Sequence, residues 1–167
     1  ISSFYQIQNS IFSNCFSDCL DDDFGGGSIE NSIFRGCGND CIDISGTEII
    51  INDVNLTDAN DKGLSIGEES KITVNNLNVD GADLCIAVKD LSILELNDAT
   101  LSNCNYGFAI YQKKSEFGPS SAVIEGVSFF NVSWENIVER DSKLSLNNKI
   151  VLGTEKDVYK KLYGETS

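Results

Sequence analysis

The chain has 167 residues, of which 41% are hydrophobic, and this suits a single domain with a buried core. Its formal net charge of −14 argues against nucleic-acid binding, because nucleic-acid-binding proteins present a basic face. The absence of histidine excludes His-based catalytic triads and imidazole metal sites. The chain also contains no run of about 18 apolar residues, the length that a membrane-spanning helix needs. The chain contains no methionine, so we expect it to be part of a longer protein.

A repeat of 22 residues organises most of the chain. One set of similar segments begins at positions 19, 41, 63, 85 and 107, and a second begins at positions 7, 29, 51, 74, 96 and 124. Fixed periods of about 20–50 residues are typical of solenoids. Apolar and polar residues alternate within each repeat, as in residues 51–56, which indicates strands, and Gly, Asn, Asp and Ser separate them. The sequence therefore predicts an all-β fold, a right-handed parallel β-helix of about six coils over residues 1–140.

The strand pattern also predicts the core. One apolar residue of each coil falls at the same position of the repeat and is expected to point inward. These side chains should stack as a continuous row made of Phe12, Phe34, Leu56, Val79, Leu101 and Phe129.

The six cysteines follow the same period. One position of the repeat holds Cys15, Cys37 and Cys104, and another holds Cys19, Cys41 and Cys85. Other coils have Ala, Val or Gly at these positions, so we expect buried free thiols that act as small apolar groups. One alternative is a zinc site made by the Cys-x3-Cys segments 15–19 and 37–41. Another is a disulfide between stacked neighbours, Cys15–Cys37 or Cys19–Cys41.

Carboxylates are concentrated on one side of three successive coils, which we call the acidic strip. Like charges about 4.8 Å apart repel, so a cation is expected to offset them. Calcium is one candidate, because it prefers several oxygen ligands, and Asp18, Asp21, Asp40 and Asp43 would supply them. The candidate binding residues are Asp18, Asp21, Asp23, Asp40, Asp43, Asp61, Lys62 and Glu68. The alternative is a solvated strip that keeps a strand-rich protein soluble.

The regular pattern changes after residue 112. Residues 113–121 lengthen one coil from 22 to 28 residues and are expected to form a loop that projects from a corner. Residues 144–152 predict a hairpin with an Asn-Asn turn. Thr154 and Asp157 resemble a capping box that begins a short helix, and Gly164 would end it. We expect residues 141–167 to cap the open end of the β-helix within the same domain.

Three segments of the coils carry a family resemblance. Residues 17–24, 39–46 and 61–68 resemble right-handed β-helix repeats of the pectate-lyase-like superfamily, and are most similar to the β-helix region attached to CotH-type kinase domains of surface proteins. The resemblance implies a location outside the cell or on its surface. Lyases and epimerases of the superfamily combine Asp clusters and calcium with a basic residue. The residues that match such a cluster are Asp18, Asp21, Asp40, Asp43 and Lys62.

The sequence favours a non-catalytic, extracytoplasmic β-helix module that displays a binding surface for glycans, cations or neighbouring proteins. It needs no cofactor, although calcium is compatible with it, and its expected partners are a polysaccharide or a cell-surface protein. The first alternative is a polysaccharide lyase or a related carbohydrate-active enzyme with Lys62 as the base. The chain has no histidine and only two arginines, so an enzyme of this kind would have few of the usual catalytic groups. The second alternative is a structural spacer.

Overall fold

The chain forms a β-solenoid of about six coils in a computed structural model that describes residues 3–164. The strands are β1 (Tyr5–Gln8), β2 (Ile11–Cys15), β3 (Leu20–Asp23), β4 (Gly26–Cys37), β5 (Ile42–Ser45), β6 (Glu48–Ala59), β7 (Lys62–Gly67), β8 (Lys71–Lys89), β9 (Ile93–Tyr111), β10 (Ser121–Val138), β11 (Lys143–Leu146) and β12 (Lys149–Leu152). A single short helix, α1 (Val158–Tyr163), follows them. The predicted fold class is confirmed. Residues 1 and 2 of the predicted coils and residues 165–167 of the predicted cap lie outside the described residues.

Parallel pairing between successive coils builds three faces. The first face contains β1, the beginnings of β4, β6, β8, β9 and β10, and the hairpin strand β11. The second face contains β2 and the middle parts of the long strands. The third, which we call the site face, contains β3, β5, β7 and the last residues of β8, β9 and β10. Each coil therefore repeats the same path around the axis.

Asparagine and aspartate make the turn between the first and second faces. Asn31, Asp53, Asn76 and Asp98 all have positive φ values between 46° and 59°, a conformation that these residue types tolerate better than most. Their side chains also connect the coils: Asn31 Nδ2 donates to Asn9 Oδ1 and Asn76 Nδ2 donates to Asp53 Oδ1, each at 2.6 Å. The Asn- and Asp-rich turns of the sequence are thus explained by backbone geometry.

The predicted core row is confirmed. Phe12 pairs with Phe34, and the register continues through Leu56, Val79 and Leu101 to Phe129. The four middle members are buried, and the rings of Phe12 and Phe34 stack with centroids 4.7 Å apart. The apolar side chains of the alternating pattern therefore fill the interior of the solenoid.

All six cysteines form disulfides, so the expectation of free thiols is wrong. The corner after the second face brings the two cysteine positions together, with Cα atoms 5.2 Å apart in Cys15–Cys19 and 5.1 Å apart in Cys37–Cys41. The third bond, Cys85–Cys104, joins neighbouring coils with a Cα separation of 5.9 Å, because each of these coils has only one cysteine. The predicted pairs between stacked neighbours are also wrong, and no thiolate remains for zinc.

We predict that the disulfides contribute unequally to stability. A thiol titration of the unfolded, unreduced protein should detect none of the six cysteines. Replacing both Cys85 and Cys104 by alanine should cost about 3 kcal/mol, and replacing both Cys15 and Cys19 about 2 kcal/mol. The difference arises because Cys85–Cys104 closes the longer loop. Denaturant unfolding of the two variants measures the difference. A titration of six thiols without reductant would contradict the pairing.

The insertion, residues 113–121, lies against the solenoid, although the sequence predicted a loop that projects from a corner. Asp90 is buried, and its Oδ1 accepts hydrogen bonds from the backbone N–H groups of Lys113 at 2.6 Å and Lys114 at 2.7 Å. The Lys114 ammonium forms an ion pair with Glu68, which belongs to an earlier coil. The loop is therefore held beside the site face.

The predicted hairpin is confirmed, and the helix begins later than predicted. β11 and β12 pair in antiparallel fashion around Asn147 and Asn148, whose φ values are 48° and 62°. Asp157, and not Thr154, caps the helix, since its Oδ1 accepts the N–H of Lys160 at 2.9 Å. Gly164 ends the helix as predicted.

The helix packs on the outside of the coils. Val158 is fully buried in a small cluster with Ala87, Ala109 and Ile137 of the site face, and Tyr159 and Leu162 pack against the same cluster. The hairpin extends the first face, and α1 covers part of the site face. Among the described residues, no helix is long and apolar enough to cross a membrane.

Candidate functional site

The acidic strip divides into two groups of different character. Asp21 and Asp43 are paired in register on the outer surface of the site face, and Ser65 continues their row. Asp18 and Asp40 precede β3 and β5 at the corner of the coils. The structure therefore brings Asp21, Asp23 and Asp43 together on one surface, whereas Asp18 and Asp40 lie apart from them at the corner.

Asp18 and Asp40 connect successive coils. Asp18 Oδ1 accepts hydrogen bonds at 2.8 Å from both the Asn39 side chain and the Asp40 backbone N–H. Asp40 Oδ1 accepts the Lys62 backbone N–H at 3.0 Å. These carboxylates satisfy backbone donors that the corner leaves unpaired, so their roles in this structure are structural.

Lys62 belongs to the same buried group. Its Nζ lies 3.3 Å from Asp40 Oδ1, forms an ion pair with Asp61, and lies 5.5 Å from the centre of the Tyr163 ring. Burial alone would lower the pKa of Lys62, but Asp40 and Asp61 outweigh it and raise the pKa above its usual value. Burial raises the pKa of Asp40 to about 6, although Lys62 opposes the shift. A buried ammonium held by two carboxylates is poorly suited to accept a proton.

Asp61 and Glu68 are also partly engaged. Asp61 Oδ1 accepts a hydrogen bond from the Tyr163 hydroxyl at 3.0 Å, which ties α1 to the corner of the coil. Glu68 pairs with Lys114 and so holds the insertion. Both residues contribute to the walls around the site face.

A polar cleft of about 250 Å³ opens on the site face beside the insertion. Four predicted residues line it, Asp21, Asp23, Asp43 and Glu68. The sequence interpretation missed its other residues, which are Ser45, Gly67, Lys89, Asp90, Lys113 and Lys114. The cleft combines carboxylates from the early coils with lysines from later ones, and its volume is slightly below the usual range for small-ligand sites, about 300–1,000 Å³.

Lys89 is the buried cation of this cleft. It is the last residue of β8 and only 7% exposed, and its Nζ donates to Ser65 Oγ at 2.8 Å. Burial lowers its pKa, an effect that Asp43 opposes and that Lys62 and Lys113 reinforce. Its outward position, directly after the inward Val88, was the only sequence signal that could have identified it.

Asp43 and Lys89 leave a gap between them. Asp43 Oδ1 is buried and has no hydrogen-bond partner, and it lies 4.0 Å from Lys89 Nζ. That separation is too long for a direct hydrogen bond and suits a bridging hydroxyl or water. An unsatisfied acceptor beside a cation is the feature of the cleft that most clearly indicates a missing group.

The mouth of the cleft is negatively charged. Within the described part of the chain, Asp21 and Asp23 make neither a hydrogen bond nor an ion pair, and both are exposed. Partial burial, followed by the neighbouring carboxylates of Asp23 and Asp43, raises the pKa of Asp21. These carboxylates attract cations to the cleft.

The far end of the cleft is closed. Ser65, Ala87 and Ala109 continue the row of Asp21 and Asp43 on the outer surface, yet none of them is exposed. Tyr111 and α1 pack with Ala87 and Ala109, and Lys89 Nζ donates to Ser65. The ammonium of Lys113 lies 5.5 Å from the centre of the Tyr159 ring of α1. The cleft therefore opens toward the first coils.

The calcium site stays a prediction. In the described residues 3–164, no group of three or more His, Cys, Asp or Glu side chains is arranged to hold a metal ion. Asp18 and Asp40, two of the four predicted ligands, bind backbone N–H groups, whereas Asp21 and Asp43 face the cleft. A cation in this region would contact Asp21, Asp23 and Asp43.

Comparison with known proteins agrees with this architecture. The family model named right handed beta helix region matches residues 2–151, which include every strand from β1 to β11. No curated protein and no solved structure is significantly similar to the chain. Because the match covers most of the sequence, the chain belongs to the right-handed β-helix family.

Proposed function

We propose that the protein is a non-catalytic binding module whose cleft on the site face holds a glycan. The observation that carries the proposal is the buried Asp43 Oδ1, which has no hydrogen-bond partner and lies 4.0 Å from Lys89 Nζ. A buried acceptor without a partner costs free energy, so a ligand that supplies a donor gains affinity there.

Sugar hydroxyls match the chemistry of this gap. A hydroxyl donates one hydrogen bond and accepts others, so one group can donate to Asp43 and accept from Lys89. Ser45 and the exposed carboxylates of Asp21 and Asp23 offer further polar contacts along the cleft. Lys113 at the opposite wall gives an acidic sugar a favourable position.

Three disulfides fit an oxidising compartment, which supports an extracellular or cell-surface location. Attachment to a larger surface protein, such as one with a CotH-type kinase domain, fits the same location. The expected partner is then a polysaccharide of that surface.

Binding to soluble polysaccharides tests the proposal. Calorimetric titration of the wild type with neutral and uronic-acid polymers should identify at least one ligand, and Asp43→Asn and Lys89→Met should each weaken its binding about tenfold or more. The matched controls, Asp58→Asn on the second face and Lys71→Met on the first, should bind as the wild type does. Equal binding by all variants would place the glycan elsewhere, and no binding by the wild type would favour a structural spacer.

Calcium is a further arm of the same experiment. If a cation occupies the mouth of the cleft, the thermal midpoint of the wild type should rise with the logarithm of the calcium concentration. Asp21→Asn and Asp43→Asn should remove that rise. A midpoint unchanged at about millimolar calcium would reject the metal site.

A second candidate function, a polysaccharide lyase, is favoured by one observation. Lys89 lies in the cleft and burial lowers its pKa, which is the property that a lysine base requires. Incubation with uronic-acid polymers would then release unsaturated products that absorb in the ultraviolet, and Lys89→Met would abolish them. Binding without such products supports the non-catalytic module.

A further inference from the structure

The last strand of the first face has a free edge. The sheet ends in the order β10, β11, β12, and in the described residues β12 pairs only with β11. In an antiparallel pair, alternate residues direct their N–H and C=O groups away from the partner. Half of the backbone groups of Lys149–Leu152 are therefore available to another strand.

The side chains of β12 are unusually apolar for a surface strand. Ile150 is 81% exposed and Leu152 is 78% exposed, and both point to the outer surface of the first face. Ile150 lies in one row with Ser145 and the exposed Val123. Leu152 also borders a cavity of about 280 Å³ together with the exposed Trp134. Exposed apolar surface beside a free strand edge is typical of an association site.

The charge distribution favours contact at this end of the solenoid. Residues 1–112 hold 18 acidic and 4 basic side chains, which is the whole net charge of −14. Residues 113–167 hold 8 of each and are neutral. Two copies of the chain that meet through β12 keep their acidic coils apart, so electrostatic repulsion opposes this contact less than any contact along the coils.

We propose that β12 pairs in antiparallel fashion with β12 of a second copy and forms a two-fold symmetric dimer. A strand that pairs with its own copy in this orientation is self-complementary, so one contact occupies both free edges and closes the assembly. Ile150 of one copy then faces the Ile150–Leu152 segment of the other, and such apolar cross-strand pairs stabilise the sheet. The second copy is the occupant that supplies both the matching edge and the matching apolar side chains.

Sedimentation velocity over a range of concentrations tests the dimer. The wild type should convert from monomer to dimer as its concentration rises, and Ile150→Glu should raise the dissociation constant about tenfold or more. Ile50→Glu is the matched control, since it adds the same charge to the same face far from β12, and it should dimerise as the wild type does. A wild type that stays monomeric, assemblies larger than dimers, or equal effects of the two variants would overturn the proposal.

Hydrogen exchange gives a reading that does not depend on a variant. The amide groups of residues 149–152 should become more protected as the wild type dimerises, while those of residues 127–132, on an exposed edge of β10 that β11 does not cover, should not change. Leu152→Glu replaces Ile150→Glu if the latter does not fold. Protection that spares β12 in the dimer would place the interface elsewhere.

Discussion

Leu56→Asp is expected to destabilise the protein by about 4 kcal/mol or more, because it buries a carboxylate with no partner. Leu56 is fully buried between Phe34 and Val79 in the central row of the core. For a chain of this size, the change corresponds to a fall of about 10 °C or more in the thermal midpoint. Scanning calorimetry measures it.

The neighbouring Asn55 offers a matched control for this prediction. Its side chain is exposed on the outer surface of the same strand, so Asn55→Asp introduces the same group without burial and should change stability by less than about 1 kcal/mol. Similar midpoints for Leu56→Asp and the wild type would show that the alternation of inward and outward residues is assigned to the wrong face.

Lys62→Met is expected to cost about 3–5 kcal/mol, because it leaves the buried carboxylate of Asp40 without its cation. The methionine side chain keeps most of the apolar stem, so the loss isolates the ammonium. Lys71→Met, at an exposed position of the first face, should cost less than about 1 kcal/mol. Denaturant unfolding at pH 8 measures both variants.

The pH dependence of this loss distinguishes the ion pair from packing. Burial raises the pKa of Asp40 from its ordinary value of 3.8 to about 6, so the folded state binds this proton more tightly than the unfolded chain. The contribution of Asp40 to stability therefore increases as the pH falls from about 7 to about 4, by on the order of 2–3 kcal/mol. Asp40→Asn should lack this increase.

In Lys62→Met, acidification should reverse part of the damage. At pH 5 a protonated Asp40 needs no cation, so the variant should lose less stability relative to the wild type than it loses at pH 8. An equal loss at both values would mean that packing of the lysine stem, and not its charge, stabilises this corner of the coil.

The sequence alone determined the fold of the coils, because the repeat and the alternation within it are properties of the chain itself. A period of 22 residues with inward Phe34, Leu56, Val79 and Leu101 permits one register, since a slip by one residue would turn the apolar row outward. Asn147 and Asn148 specified the hairpin in the same local way, through a turn that needs positive φ at both positions.

The tertiary structure decided how residues from different positions of the repeat meet. The sequence placed the cysteines in two rows, but only the path of the corner shows that Cys15 reaches Cys19 and not Cys37. Only the tertiary structure shows that α1 lies on the flank of the site face, where Tyr163 covers Lys62. Such contacts depend on directions that a period does not encode.

In the candidate site, too, some residues could be identified from the sequence and others only from the folded structure. The carboxylates Asp21 and Asp43 were evident from the sequence, because they recur at one position of neighbouring coils, and Asp23 follows Asp21 on the same side of its strand. Lys62 was a candidate in the sequence, where it adjoins Asp61, whereas Lys89 was not identified. Only the folded chain shows that Lys62 is held by Asp40 and Asp61. Lys89 instead crosses two coils to a cleft in which Asp43 has an unpaired oxygen, because side-chain reach between coils is a three-dimensional property.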